Sequence, residues 1–372
     1  MIGRLRANLR QLRAALAPMR QRGMPLAVAL LWQLPAAVLL RGWRVLAQAL
    51  NARLLNRALN AARFAAFQDR LPTGEGLRWY VIVMPHTLHF LLPCLALLHG
   101  HARLVLVANG ARRWERELLR RRLPALPLFT LRTLPVSSLP HGDALSLLLE
   151  HHRGDFGIVD HDAYVFDPAL LGRLRPAPGE CMTGVFVQTS ERLGFDYPLT
   201  HLLGFDAGAL RRLMQVHRID ARQYRRAPAR LSGVLGRVGM GPRSYLKDYQ
   251  HFHDTLHVLL GVALAEGFRV RIEPQNPVLP VLHVGGTSIG SHHTKNLFAL
   301  YIHLRFLELL DDPLIRRRYA FLTRPLRTSI EALHRQAPAD PAWEKLPLVE
   351  ELMRRLQAAG AGHGFRAAAA AA

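Results

Sequence analysis

From residue 79 onward the chain alternates between two patterns. Predominantly apolar runs of four to seven residues occupy 79–84, 102–108, 126–131 and 156–159. Between them, at 88–99, 112–122 and 144–152, apolar positions recur at helical spacing. Unbroken apolar runs suit strands buried on both faces, and strands alternating with helices form a mostly parallel sheet covered on both sides. The expectation is an α/β fold. A second apolar run follows the fourth at 163–166, and a further strand is expected over 181–188. Residues 200–216 read as a helix interrupted at Gly204, while 218–243 are basic, irregular and rich in Gly and Pro. A helical pattern then runs from His253 to Glu266, stops at Gly267-Phe268 and gives way to strands at 269–272 and 281–284. Amphipathic helices are expected at 297–310, 314–326 and 347–358, before a low-complexity stretch over 360–372.

The first 70 residues differ. Ile2, Leu5, Leu9, Leu12, Leu16 and Met19 recur at helical spacing with arginines around the rest. That is the pattern of a basic amphipathic helix lying on an anionic lipid surface. Residues 24–40 are uncharged for seventeen positions but hold Pro25, Gln33 and Pro35, which argues against a straight membrane crossing. A secretory signal fits poorly, because the basic region is long and no clear cleavage site follows. A further helix is expected over 41–70, with Val45, Leu46, Leu50, Leu54, Leu55 and Leu59 along one side. The expectation is a membrane-surface leader; an ordinary helical subdomain packed on the core is the alternative.

Half of the 372 residues are hydrophobic, enough for a sizeable core. The net charge of +22 is unevenly spread, since eleven arginines precede the first acidic residue, Asp69. Zinc-finger spacing, an RNA-recognition aromatic motif and a homeodomain-like helix are all missing. The early arginines are interleaved with Leu and Ala, so lipid headgroups are expected as partners and nucleic acid is not. Two cysteines, Cys94 and Cys181, both in apolar surroundings, argue against a disulfide scaffold and fit a reducing compartment.

Candidate chemistry lies at strand ends. The strand at 156–159 breaks into Asp160-His161-Asp162, and two carboxylates one residue apart point to a bound divalent cation. A charged turn between two strands is the plainer alternative. His283 ends a later strand, followed by the glycine loop Gly285-Gly286-Thr287-Ser288, and offers an imidazole to the same metal. Asp254 is an acid opening a helix that stops at glycine and returns to the sheet. No Gly-X-Gly-X-X-Gly and no Gly-Lys-Ser/Thr loop follows the first strand, which excludes a dinucleotide dehydrogenase and a P-loop enzyme.

In this order the motifs resemble a GT-A-fold glycosyltransferase, a Rossmann-like architecture, nearest in pattern to the family-2 inverting type. The resemblance runs from about residue 78 to 296 and divides the chain into a leader at 1–75, a transferase domain at 76–300 and a helical extension at 301–372. It implies a nucleotide-sugar donor and a metal, Mn2+ or Mg2+, held by Asp160, Asp162 and His283. It further implies Asp254 as general base toward the acceptor hydroxyl. Pro85, His86, Thr87, Asn109, Asp160, His161 and Lys295, with His292 and His293 less firmly, would bind the nucleotide sugar. A cell-envelope or lipid-linked glycan acceptor would fit a protein held peripherally on the inner face of the cell membrane.

Two departures stand out. His253 occupies the position before the base, where the family usually has another acid. The segment after His283, through Lys295, also resembles retaining transferases, so the outcome leans toward inversion without being fixed. Among rivals, His253 and His257 flank an acid at one-turn spacing, as in zinc proteases, but Ala263 stands where an extended motif places a third histidine. A phosphatase Asp-X-Asp is disfavoured by the following Ala163-Tyr164. A non-catalytic membrane-surface binding protein with a degenerate transferase fold is the remaining alternative.

Overall fold

A computed structural model describes residues 28, 31, 34–191, 193–247, 251–285, 287, 297–323 and 341–361. The chain divides into two compact units. One comprises Ala47–Met84 and Leu97–His283; the other comprises Met1–Leu46, Pro85–Ala96 and Val284–Ala372.

The first unit holds a seven-stranded sheet. Its strands are β1 (Arg78–Val83), β2 (Arg103–Ala108), β3 (Leu128–Thr130), β4 (Phe156–Asp160), β6 (Glu180–Gly184), β9 (Leu202–Phe205) and β10 (Arg269–Ile272). They lie in the order β10-β6-β9-β4-β1-β2-β3. The pairs β1–β2, β1–β4, β2–β3 and β6–β10 are parallel, whereas β9 runs antiparallel to both β4 and β6. The α/β sheet is therefore mostly parallel with one reversed strand inside it. Two ribbons add to the sheet: β5 (Ala163–Val165) pairs antiparallel with β11 (Val281–His283), and β7 (Val187–Ser190) with β8 (Phe195–Pro198).

Alternate strand residues share a face. Tyr80, Ile82, Val105, Val107, Phe156 and Ile158 on one face join a buried apolar cluster with Leu145 and Leu148, Leu210 and Leu213, and Leu259. These last come from α5 (His141–His151), α7 (Ala207–His217) and α9 (His257–Ala265). The opposite-face residues Trp79, Val81, Leu104 and Leu106 are buried too, which is why these strands read as unbroken apolar runs. Across β4, Gly157 sits opposite Trp79, and a Cβ there would stand 2.3 Å from the indole. Gly204 on β9 is as constrained: a Cβ would fall 1.9 Å from the Leu174 carbonyl.

The helical region before β1 contributes to the sheet's cover. Helix α1 (Leu34–Leu50) leads into a wide π-type turn at Asn51–Asn60 and then α2 (Ala61–Gln68). The i→i+5 bonding of a π-helix brings residues four or five apart onto one face, and Asn51, Asn56 and Asn60 are so spaced. All three are buried. Asn51 donates to Ser137 and accepts from the Leu134 amide, Asn56 donates to the Asp143 carbonyl, and Asn60 bonds both backbone groups of Arg132. Gln68 continues the row to the His151 carbonyl. From Ala47 on, this region belongs to the sheet unit and serves the loops around β3 and α5. The arginine-rich residues 1–27 lie outside the described residues.

In the other unit, α10 (Leu297–Leu310), α11 (Pro313–Thr323) and α12 (Leu346–Ala358) form a helical layer with Tyr301, Phe306, Ile315, Tyr319, Leu352 and Leu356 buried. Among the described residues no helix is long and apolar enough to cross a membrane.

Candidate active site

The site forms where β4, β9 and β11 deliver side chains to one place. β4 ends at Asp160, whose amide donates to the His201 carbonyl at 2.8 Å. That bond extends the β4–β9 ladder one step past the Val159–Leu202 pair and sets His201 beside Asp160. His201 Nδ1 lies 3.0 Å from Oδ2 of Asp160. A carboxylate only accepts, so Nδ1 is the donor of this bond. The chain then turns through His161 and Asp162, both buried, into β5. Antiparallel pairing of β5 with β11 places His283 opposite Ala163, with Nε2 of His283 3.4 Å from Oδ1 of Asp162.

The two imidazoles stack, with ring centroids 3.5 Å apart at 19°. Phe186 stands against both, at 5.6 Å from His201 and 5.9 Å from His283. One donor atom each from Asp160, His201 and His283 lies within 4.8 Å of the others. One carboxylate and two imidazoles make a donor set for a divalent cation with positions left for other ligands. A cation lying in the plane of both rings requires them to splay from their present stack. Asp162, nearly fully buried, lies against His283 and orients that ring. His201 was not among the expected ligands.

Asp254 has different surroundings. It sits three residues before α9, in a turn where Leu256 adopts a φ of 71°. Its Oδ1 accepts from Gln223 and from the Thr255 amide, each at 2.8 Å, and its Oδ2 lies 2.5 Å from Lys247 Nζ. Burial pushes this carboxyl upward, but Lys247, the Thr255 amide and Gln223 outweigh it and hold the group at about 2. His257 Nδ1 accepts from the Asp254 amide at 3.2 Å, and burial lowers this imidazole to about 3, which keeps it neutral. Tyr197 of β8 packs edge-on against His257 at 5.3 Å.

The remaining expected residues have their own surroundings. Asn109 follows β2 fully buried, with its amide committed at both ends to the Leu139 backbone. That arrangement secures the loop between Asn109 and Leu139. Pro85, His86 and Thr87 follow β1 and belong to the other unit. There the Thr87 carbonyl accepts from Phe90 and Leu91 at the start of α3 (Leu88–Leu98), and His86 packs edge-on against Tyr319 and Phe321. Lys295, His292 and His293 lie outside the described residues. The zinc-protease alternative loses its geometric basis. Helix α9 begins at His257, so His253 is not one turn before it on the same helix. His253 instead bridges Tyr224 and sends Nε2 to the Pro242 carbonyl.

Residues 55–210 match the family model described as the StrH glycosyltransferase N-terminal domain. On that match the chain is a glycosyltransferase and takes a sugar donor and an acceptor. The matched segment includes Asp160, Asp162 and His201 but ends before Asp254 and His283. No curated protein matches the chain.

Proposed function

We propose that the chain moves a sugar from a nucleotide-sugar donor to an acceptor hydroxyl at the Asp160–His201–His283 cluster, on a GT-A-type scaffold, with a divalent metal and a lean toward inversion. The observation that carries this reading is the convergence of three metal-type donors, from positions 160, 201 and 283, at one strand-end site. The element order supports the scaffold: a strand feeding a helix, Asp-X-Asp at a strand end, an acid before a helix closed by Gly267, and a late strand ending in His283.

Asp160, His201 and His283 would hold the metal, Mn2+ or Mg2+. The two imidazoles favour the transition ion, because Mg2+ prefers all-oxygen sites. Bound there, the metal would supply Lewis-acid stabilisation of the charge that develops on a departing diphosphate. Asp162 holds the His283 ring, and Phe186 packs against both imidazoles. Asp254 is proposed as the base that takes the acceptor proton. At about 2 it is a poor acceptor while Lys247 holds it, so this role requires the ammonium to give way to the acceptor. A lipid-linked or cell-envelope glycan acceptor and an anionic membrane surface on the cytoplasmic side remain part of the proposal.

The test is a screen of nucleotide sugars for release of nucleoside diphosphate, with chelator and with Mn2+ or Mg2+ restored. Turnover is expected to vanish in chelator and return with metal. Asp160→Ala and His201→Ala are each expected to lower turnover at least a hundredfold and to weaken Mn2+ binding. Full turnover in chelator, or unchanged metal affinity in His201→Ala, would reject the site.

A further inference from the structure

A trough of about 770 Å³ runs along the sheet edge at β3, and it shares no lining residue with the Asp160 site. One wall carries Arg63 of α2 and Arg70 just after it. The other carries Arg113, Arg116 and Arg120 of α4 (Arg113–Arg122), and Arg132 lies on the floor. The α4 arginines are spaced three and four residues apart, so they share one helix face. Glu117 is the one carboxylate of the lining, and Arg113 pairs with it at 2.7 Å. The guanidiniums of Arg63, Arg70 and Arg116 donate to the backbone carbonyls of Thr130, Ala66 and Ala111, and that of Arg63 also lies over the Phe129 ring at 5.7 Å. Among the described residues no carboxylate pairs with these three, or with Arg120 or Arg132.

Such a concentration of like charge opposes itself. Burial and then Arg132 lower the Arg63 guanidinium; burial and then Arg120 lower that of Arg116, although Glu115 and Glu117 partly oppose the fall. An anion in the trough would relieve that repulsion. Guanidinium forks match phosphate oxygens two at a time. The arginines of α4 extend over about 10 Å of helix, further than one phosphate reaches.

We propose that this trough binds a chain of two or more linked phosphates, at a site separate from the sugar-transfer centre. The proposal does not depend on the reading of Asp160, because neither metal nor sugar donor enters its test. That test is calorimetric titration of the full chain with tripolyphosphate in buffer free of divalent metal. Saturable binding is expected. The charge reversal Arg120→Glu/Arg132→Glu should weaken it at least tenfold, and Arg212→Glu/Arg226→Glu, the same charge change elsewhere on the surface, less than twofold. Should the first variant fail to fold, Arg120→Gln/Arg132→Gln serves with the same expectation. Displacement of tripolyphosphate by ATP would mark a soluble source, and displacement by vesicles carrying a polyprenyl diphosphate a lipid-borne one. Equal losses in both reversals, or no tripolyphosphate binding, would overturn the proposal. So would binding to phosphatidylglycerol vesicles alone, which would make the trough a membrane contact instead.

Discussion

Lys247 decides what Asp254 can do. A carboxyl that would rise on burial is held near 2 by an ammonium 2.5 Å away, an amide and Gln223, with neutral His257 beside it. Replacing that ammonium, as in Lys247→Met, removes the largest lowering influence, so the carboxyl pKa rises. If Asp254 takes the acceptor proton, the acid limb of the kcat/KM profile moves to higher pH in this variant. An unmoved limb would assign the proton transfer elsewhere. His152 offers a second, structural titration. Its Nδ1 lies 2.5 Å from the Gly154 carbonyl, its Nε2 has no partner, and burial lowers it to about 4. The unfolded chain binds this proton near pH 6.5 and the folded chain only near 4. Stability therefore falls as pH drops through that window, by about 3 kcal/mol in full. The midpoint of urea unfolding should show the fall, and His152→Phe should flatten it.

Among the elements, the row of amides before β1 carries the clearest energetic consequence. Asn60 satisfies both the amide and the carbonyl of Arg132, at 2.8 and 3.0 Å. Asn60→Ala removes the side-chain partner of two part-buried backbone groups, at about 2 kcal/mol together, measurable as a lowered urea midpoint with the slope unchanged. These asparagines also explain a limit of the sequence reading. At helical spacing residues 41–70 showed a leucine stripe, of which Val45, Leu46, Leu54 and Leu59 are exposed, but the buried asparagine row was not picked out. The i→i+5 turn changes which residues share a side and turns the amides inward, and period-3.6 reasoning does not see it. The strands β1, β2 and β4 were legible because burial on both faces makes them unbroken apolar runs. β9 was hidden within an expected helix over 200–216. Asp206 held the missing signal: its carboxylate accepts from the Ala209 amide as an N-cap, which starts α7 at Ala207 and releases Leu202–Phe205 to the sheet. With that strand goes His201. Asp160 and His283 could be picked out because each ends an apolar run, whereas His201 precedes one. Likewise the stretch 181–188 divides into β6 and β7, with Phe186 between them against the histidines.

At the scale of the whole molecule, the candidate centre takes its donors from positions 160, 201 and 283, on three strands that meet through one ladder and one ribbon. An unfolded chain offers those side chains singly, so a cation would find its grip only after the sheet has closed. Ion affinity and tertiary order would then be thermodynamically linked. Added Mn2+ should raise the melting temperature in a dose-dependent way, and His201→Ala should abolish that rise while altering the ion-free melt little. The stacked rings add a further cost, since seating the ion means prising two aromatic faces apart. Occupancy would therefore trade one ordered arrangement of the pair for another, and with diamagnetic Mg2+ the imidazole resonances in NMR would move together on titration.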